Sequence, residues 1–410
     1  MQMKILQINN FYNYGSTGKI VHDIHTALLE RGHESIVCYG RGAGEDGKLI
    51  RKVCSEVASK WNNVLSRFTG IMYGGFRRST EGLKRMILKE QPDVVHLQCL
   101  NCFFINIYEL VSWLKENHIK AVLTLHAEFM YTANCGHALD CDRWHKGCGN
   151  CPRLKKETRS LFLDRTAVSF QKMEAAFRGY EKDLILASVS PWLVKRSKQS
   201  PILKAFRNEV VYNGIDTEVF SPRDCSYLIQ RHGLEGKKVI LHTSAKFTSD
   251  PAHLKGGYYV IEIAKKMPDV VFLVAGKNEA VGELPNNVIL LGQITDQKEL
   301  ADYYTLADGF LLTSKRETFS MPCAESLCCG TPVFGFEAGG PEMISLRDYS
   351  SFVPHGDIDG LAGKIRKYFD GPASLKSKIS ECAIPVYSKE SMVNKYIEIY
   401  SQLSACDELS

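Results

Sequence analysis

Short apolar runs of four to six residues recur along the chain, separated by stretches in which apolar residues return every three or four positions. In the first half Lys4–Ile8, Ser35–Tyr39, Asp93–Leu97, Ala121–Leu125 and Leu184–Ser188 read as strands. Ile20, Val21, Ile24, Ala27 and Leu28 predict a helix over Ile20–Arg31, closed by Gly32. The second half repeats the pattern. Lys238–Thr243, Val270–Ala275, Val288–Leu291, Gly309–Thr313 and Pro332–Phe336 read as strands, with helices over Tyr258–Lys266 and Met321–Cys329. Strand–helix–strand alternation implies parallel strands joined by right-handed crossovers. The predicted fold class is therefore α/β, with two Rossmann-like domains facing across a cleft. A chain of 410 residues exceeds one ordinary core, which agrees. The expected division is residues 1–200, residues 201–388, and a last segment, 389–410, whose helix Glu390–Leu403 returns to the first domain. Ligands of such sheets bind beyond the carboxyl ends of the strands.

Composition changes this picture little: 44% of residues are hydrophobic and 24% charged, and a formal charge of +5 is too mild to argue for nucleic acid. The basic excess is uneven, however. Residues 151–210 hold 13 Lys or Arg against 6 Asp or Glu, a net +7. Within them Arg153–Tyr180 interleaves Leu161, Phe162, Val168, Phe170, Met173 and Phe177 at near-helical spacing. Such a helix either lies peripherally on an anionic membrane surface or packs its apolar stripe against its own domain. The most apolar region, Val94–Leu114, is interrupted by His96, Gln98, Asn101, Asn106 and Glu109, so no membrane span is predicted. The chain starts on a strand without a leader pattern, and a cytoplasmic location is expected. Its 14 cysteines then read as reduced thiols or metal ligands.

Candidate chemistry concentrates in Lys315–Val333. Glu317 falls in a loop after a strand, Pro322 in the first turn of a helix, and Gly330 just past its end. Glu325 then sits one turn inside, near enough for both carboxylates to face one ligand. A carboxylate accepts two hydrogen bonds from the vicinal hydroxyls of a sugar or ribose. Downstream, Gly339 and Gly340 free their amides to approach an anion. Upstream, Lys246 and Lys255 offer positive charge to a diphosphate.

The run Glu317-Thr-Phe-Ser-Met-Pro-Cys-Ala-Glu325 resembles the Glu-x7-Glu signature of family-4 retaining glycosyltransferases, which have the GT-B fold. Gly15-Ser-Thr-Gly18, Pro92–His96, Leu123–His126, Val189–Leu193 and Tyr212–Asp216 extend the resemblance over nearly the whole chain. It implies an N-terminal acceptor-side domain and a C-terminal domain that binds a nucleotide-diphosphate sugar. Glu325 would hold the donor ribose, and Glu317 with the backbone of Phe319, Ser320 and Met321 the transferred sugar. Lys246, Lys255 and the Gly15–Gly18 loop would bind the diphosphate, and His126 would line the reaction centre. Lys246 departs from the Arg more common there, which loses a forked contact. The reaction implied is front-face substitution with retention, which requires no cofactor. The implied acceptor is an oligosaccharide or lipid-linked chain of bacterial surface polysaccharide, and nucleic acid is not an expected partner.

Asn134–Pro152 is a cysteine-rich insert resembling one in the exopolysaccharide, colanic-acid-type subset of this family. Cys135, Cys141, Cys148 and Cys151 fall within 17 residues, and the last two form Cys-x2-Cys. They are candidate ligands of a structural zinc, or thiols packed in a lid. Two rival readings use the same residues. A nucleotide-sugar hydrolase or epimerase would recruit His126 with Glu128 as acid and base. A zinc-bearing nucleic-acid binder would use the cysteines and the basic segment.

Overall fold

The computed structural model describes residues 2–44, 46–75, 77–279, 281–372 and 375–405. Two compact units emerge, one of Met1–Val211 with Val393–Ser410 and one of Tyr212–Met392.

The first unit is built on seven strands: β1 (Lys4–Asn9), β2 (Glu34–Tyr39), β3 (Ile50–Lys52), β4 (Val94–Leu97), β5 (Ala121–Leu125), β6 (Leu184–Ser188) and β7 (Asn208–Val210). All pairs are parallel, in the order β3-β2-β1-β4-β5-β6-β7. The chain order therefore reverses between β1 and β4, the place in such sheets where loops on either side diverge. Central strands covered on both faces are mostly apolar, and Ile5–Asn9 and Ala121–Leu125 are buried along their whole length, with Gln7, Asn9 and Thr124 among them.

The second unit has six strands: β8 (Lys238–Phe247), β9 (Val270–Asn278), β10 (Val288–Gly292), β11 (Gly309–Leu312), β12 (Val333–Phe336) and β13 (Ser350–Val353). They too are all parallel, ordered β10-β9-β8-β11-β12-β13, with the reversal between β8 and β11. Ile240, Phe272, Val274, Leu311 and Phe334 form a core with Val260, Ile263 and Ala264 of the Gly257–Lys266 helix and Leu361 and Ile365 of the Ile358–Phe369 helix.

Sequence and structure differ in instructive places. β8 and β9 run past their apolar stretches because pairing resumes after an irregularity between Thr243 and Lys246, joining Lys246 to Lys277. The basic segment Arg153–Tyr180 is not one helix. It forms Leu154–Glu157 and Thr166–Phe177, separated where Asp164 accepts from the Thr166 amide and hydroxyl at 3.0 and 2.7 Å. Phe170, Met173 and Phe177 are buried, so the stripe of the second helix faces its own unit.

The last helix, Lys389–Ala405, supplies Tyr396 and Tyr400 to the core of the first unit. Residues 406–410 of the expected final segment lie outside the described residues. No described helix is long and apolar enough to cross a membrane.

Candidate active site

In the second unit, the loops beyond β8 and β11 carry most of the expected site residues. Lys255 Nζ donates to Glu317 Oε1 at 2.6 Å. Two further bonds fasten the loops together: Thr313 Oγ1 donates to Lys255 O at 3.1 Å, and Lys315 N to Leu254 O at 2.8 Å. Contact is so close that a Cβ on Gly256, which has φ +67°, would stand 2.1 Å from Thr313 O. A side chain there is excluded on both counts. Glu325 lies in the helix Met321–Cys328, where its Oε2 accepts from the Tyr304 hydroxyl at 3.1 Å. Burial, and then the charge of Glu325, hold the Tyr304 pKa well above its usual value, so Tyr304 stays a donor. Lys246 pairs instead with Glu279, at 2.5 Å. The structure thus joins Lys255 to Glu317 but gives Lys246 a different partner.

Ser320, immediately before that helix, has φ +86°, a region that L side chains rarely occupy. Such strain persists only where the surroundings fix it. Here Gly340 helps to do so, because a Cβ on it would lie 2.4 Å from Thr318 O and 2.9 Å from Phe319 N. The expected anion cradle at Gly339 and Gly340 is already filled, however. Glu342 Oε1 and Oε2 accept from Gly339 N at 2.8 and 3.0 Å, and Gly340 N donates to Glu317 O at 2.9 Å. Those glycines brace the Glu317 loop rather than present amides to a ligand.

In the first unit, His126 follows β5 beside the β1–β4 reversal. Its Nε2 meets Gln98 Oε1 at 2.9 Å, and Gln98 Nε2 donates to Gln7 Oε1 at 3.1 Å. The residue is half-buried, and burial lowers its pKa to about 4, leaving a neutral imidazole near pH 7. Gly15 and Gly18 lie in the first turn of the helix Gly15–Glu30, with Gly15 at φ +66° and Gly18 O accepting from Asn13 N at 3.0 Å.

Comparison with known proteins fits both halves. The family described as Glycosyltransferase Family 4 matches residues 17–219, and that described as Glycosyl transferases group 1 matches residues 254–370. The chain belongs to the family-4 glycosyltransferases. It is 20% identical to the "Putative colanic acid biosynthesis glycosyl transferase WcaC" of Escherichia coli K12, over 98% of this chain and 100% of that one. Among solved structures it resembles sucrose-phosphate synthase from Thermosynechococcus elongatus, with TM-score 0.67, 17% identity, and 99% and 100% of the two chains covered. It also resembles Anabaena Alr3699/HepE in complex with UDP, with TM-score 0.64, 16% identity, and 98% and 100% covered. These likenesses show the fold, that of GT-B glycosyltransferases.

In this family-4 glycosyltransferase the cysteine-rich insert is anchored, through Ala138 and Trp144, on a salt bridge between Glu128 and Arg196 outside it. Glu128 is fully buried, and its Oε1 accepts from Arg196 Nη2 and Nε at 2.6 and 3.0 Å and from the Tyr131 hydroxyl at 2.7 Å. Its Oε2 accepts from Ala138 N at 2.7 Å. Arg196 in turn lies 4.7 Å from the Trp144 ring and 5.2 Å from that of Trp192. With its oxygens so engaged, Glu128 fastens the insert and is not placed to exchange protons with a sugar. This removes the acid–base pair on which a hydrolase or epimerase would rely.

Cys135, Cys141, Cys148 and Cys151 are free thiols. Among the described residues no group of three or more His, Cys, Asp or Glu is arranged to hold a metal ion. Burial, with neighbouring thiols adding to it, raises the Cys135 pKa and pushes Cys148 up to about 12. Sequence reasoning missed Tyr304, Gln98 and Glu342. Each is known only by its partner, and no pattern along the chain signals that.

Proposed function

We propose that this enzyme transfers a sugar from a nucleoside-diphosphate sugar to a growing, lipid-linked bacterial surface polysaccharide, with retention of anomeric configuration, at the cytoplasmic side. The observation that carries the donor half is the Lys255–Glu317 pair, fixed at the carboxyl ends of β8 and β11 with Glu325 in the helix that follows. In this reading Glu325, oriented by Tyr304, accepts from the ribose hydroxyls. Lys255 and Lys246 turn to the diphosphate, helped by the glycine turn Gly15–Gly18. Glu317 and the backbone of Phe319, Ser320 and Met321 hold the sugar. His126, being neutral, offers a hydrogen bond to the reacting sugar without competing for the proton. The bond from the anomeric carbon to the leaving phosphate oxygen breaks as one to the acceptor oxygen forms on the same face. The acceptor proton passes to the departing diphosphate, whose charge the lysines offset.

The likeness to the colanic-acid transferase supports the polysaccharide product, and the UDP complex of the Anabaena protein makes UDP the first nucleotide to test. Calorimetry with UDP, GDP and ADP is the decisive experiment. One nucleotide should bind at micromolar affinity, and Lys255→Ala or Glu325→Ala should abolish or greatly weaken it. Failure of all three to bind would sink the reading. Nuclear magnetic resonance of the product's anomeric proton tests retention.

A further inference from the structure

The helix Glu56–Thr69 of the first unit is built inside out. Its small polar residues face the protein: Ser59 Oγ donates to Cys102 O at 2.7 Å, Asn62 Nδ2 to Phe103 O at 2.8 Å, and Ser66 is buried with them. Its large apolar residues face away. Val57 is 65% exposed, Trp61 62% and Phe68 55%, and Val64 and Leu65 are exposed beside them. At helical spacing these five fall on one stripe.

A second apolar segment adjoins its end. Leu161 N donates to Arg67 O at 2.9 Å, and a Cβ on Gly70 would lie 2.3 Å from Leu163 O, so the loop is clamped to the helix. At its tip Phe162 is 79% exposed, between exposed Leu161 and Leu163. Two segments about ninety residues apart in sequence thus present adjoining apolar surface, which globular proteins rarely leave in water without a partner.

The exposed charges flanking it are mainly basic. Lys60 and Arg67, both exposed, share one flank of the stripe, and exposed Arg159 and Arg165 bracket the loop. Nearby acids are engaged inward. Glu56 accepts from Arg41, Lys52 and Gly42 N, and Asp164 from Cys151 N and Thr166. An open cavity of about 780 Å³ adjoins, sharing Leu65 and lined also by Arg77, Lys115, Arg165 and Lys172, against Glu109 and Glu116.

We propose that this face docks on the surface of an anionic lipid bilayer, its aromatic and aliphatic tips in the interfacial layer and its cations on lipid phosphates. A tryptophan on an apolar stripe flanked by Lys and Arg matches that layer, apolar on one side and anionic on the other. A second copy of the chain fits less well, because Glu56 and Asp164 are already engaged and leave Lys60 and Arg67 no counter-charge on this face. The proposal deepens the lipid-linked reading above, but its physical basis is separate and so is its test.

Wild-type protein and the Trp61→Ser/Phe68→Ser variant are sedimented with vesicles of phosphatidylcholine alone or with phosphatidylglycerol added. Wild type should partition onto the anionic vesicles at least about tenfold more than the variant, and should lose most of that in about 0.5 M salt. Its tryptophan emission should shift to the blue on binding, a shift that Trp61→Phe removes. Nucleotide affinity and the thermal midpoint of the variant should match wild type, since neither residue touches the donor loops. Equal partition of wild type and variant, or no partition, overturns the proposal. A dimer in sedimentation equilibrium that these substitutions dissociate, without vesicle binding, assigns the face to a second copy instead. Vesicle binding by a protein that binds no nucleotide would leave this inference standing while the transferase reading fell.

Discussion

Glu325 and Glu128 show how far a residue type is from a role. Both are carboxylates near expected chemistry, but one accepts from the Tyr304 hydroxyl at 3.1 Å in the donor-side helix while the other is held by Arg196, Tyr131 and the Ala138 amide. Glu325→Ala is therefore expected to weaken the preferred nucleotide about ten- to hundredfold, as loss of charge-assisted hydrogen bonds of about 1.5–3 kcal/mol predicts. Tyr304→Phe should cost only a few-fold. Unchanged affinity in Glu325→Ala, read by calorimetry, would remove the ribose assignment. Glu128→Gln should instead lower stability by about 3 kcal/mol, since it leaves the largely covered Arg196 without its counter-charge, and denaturant unfolding measures this.

Histidines give a pH dependence. Burial lowers His126 and His242 to about 4 and His96 to about 3. Each folded pKa lies below its unfolded value near 6.5, so the unfolded chain binds more protons between the two. Their stabilising contribution is complete above pH 6.5 and is lost as pH falls towards 4, at up to about 1.4 kcal/mol per histidine per pH unit. Thermal midpoints should fall over that window, and His126→Gln should flatten the slope. The glutamates themselves were legible in sequence, through a strand, a loop and Pro322. Partners were not, because Tyr304 and Glu342 reach their sites only after folding.

At the scale of elements, long apolar strands and periodic helices announced themselves, while β3, β7 and β13 did not. Each is three or four residues at or near a sheet edge, too short for a pattern to repeat. Periodicity also states which residues share a face and not which way the face looks. For Thr166–Phe177 the stripe turns inward, and for Glu56–Thr69 it turns outward. The Glu317 loop depends on close backbone approach, so Gly340→Ala should displace Thr318 and Phe319 and weaken nucleotide binding by more than it lowers the melting temperature. Binding equal to wild type would show that the loop tolerates the added methyl. In the insert, Cys135 and Cys148 should react slowly with a thiol reagent at pH 8, because burial keeps them protonated, while exposed Cys382 reacts first. Mass spectrometry of the labelled chain distinguishes them.

For the whole molecule, alternation of strand and helix made two parallel-sheet domains readable from the chain alone, because a parallel sheet buried on both faces leaves so plain an apolar signature. What alternation leaves open is which unit a terminal segment joins. Tyr396 and Tyr400 settle it by bonding Thr124 at 2.9 Å and His96 at 2.7 Å. A chain cut after residue 388 should lose protection of the β4 and β5 amides in hydrogen exchange, while β8 and β11 keep theirs. Uniform loss across both sheets would show that the units unfold together.

That same return of the chain sets an order of events during synthesis. The sequence separation between Tyr400 and its histidine is 304 residues. Every residue of the second unit has therefore left the ribosome before the first unit receives the side chains that complete its core. The half that begins first is finished last, so β4 and β5 wait with His96 uncovered through the making of the other sheet, and a chaperone has that interval in which to bind them.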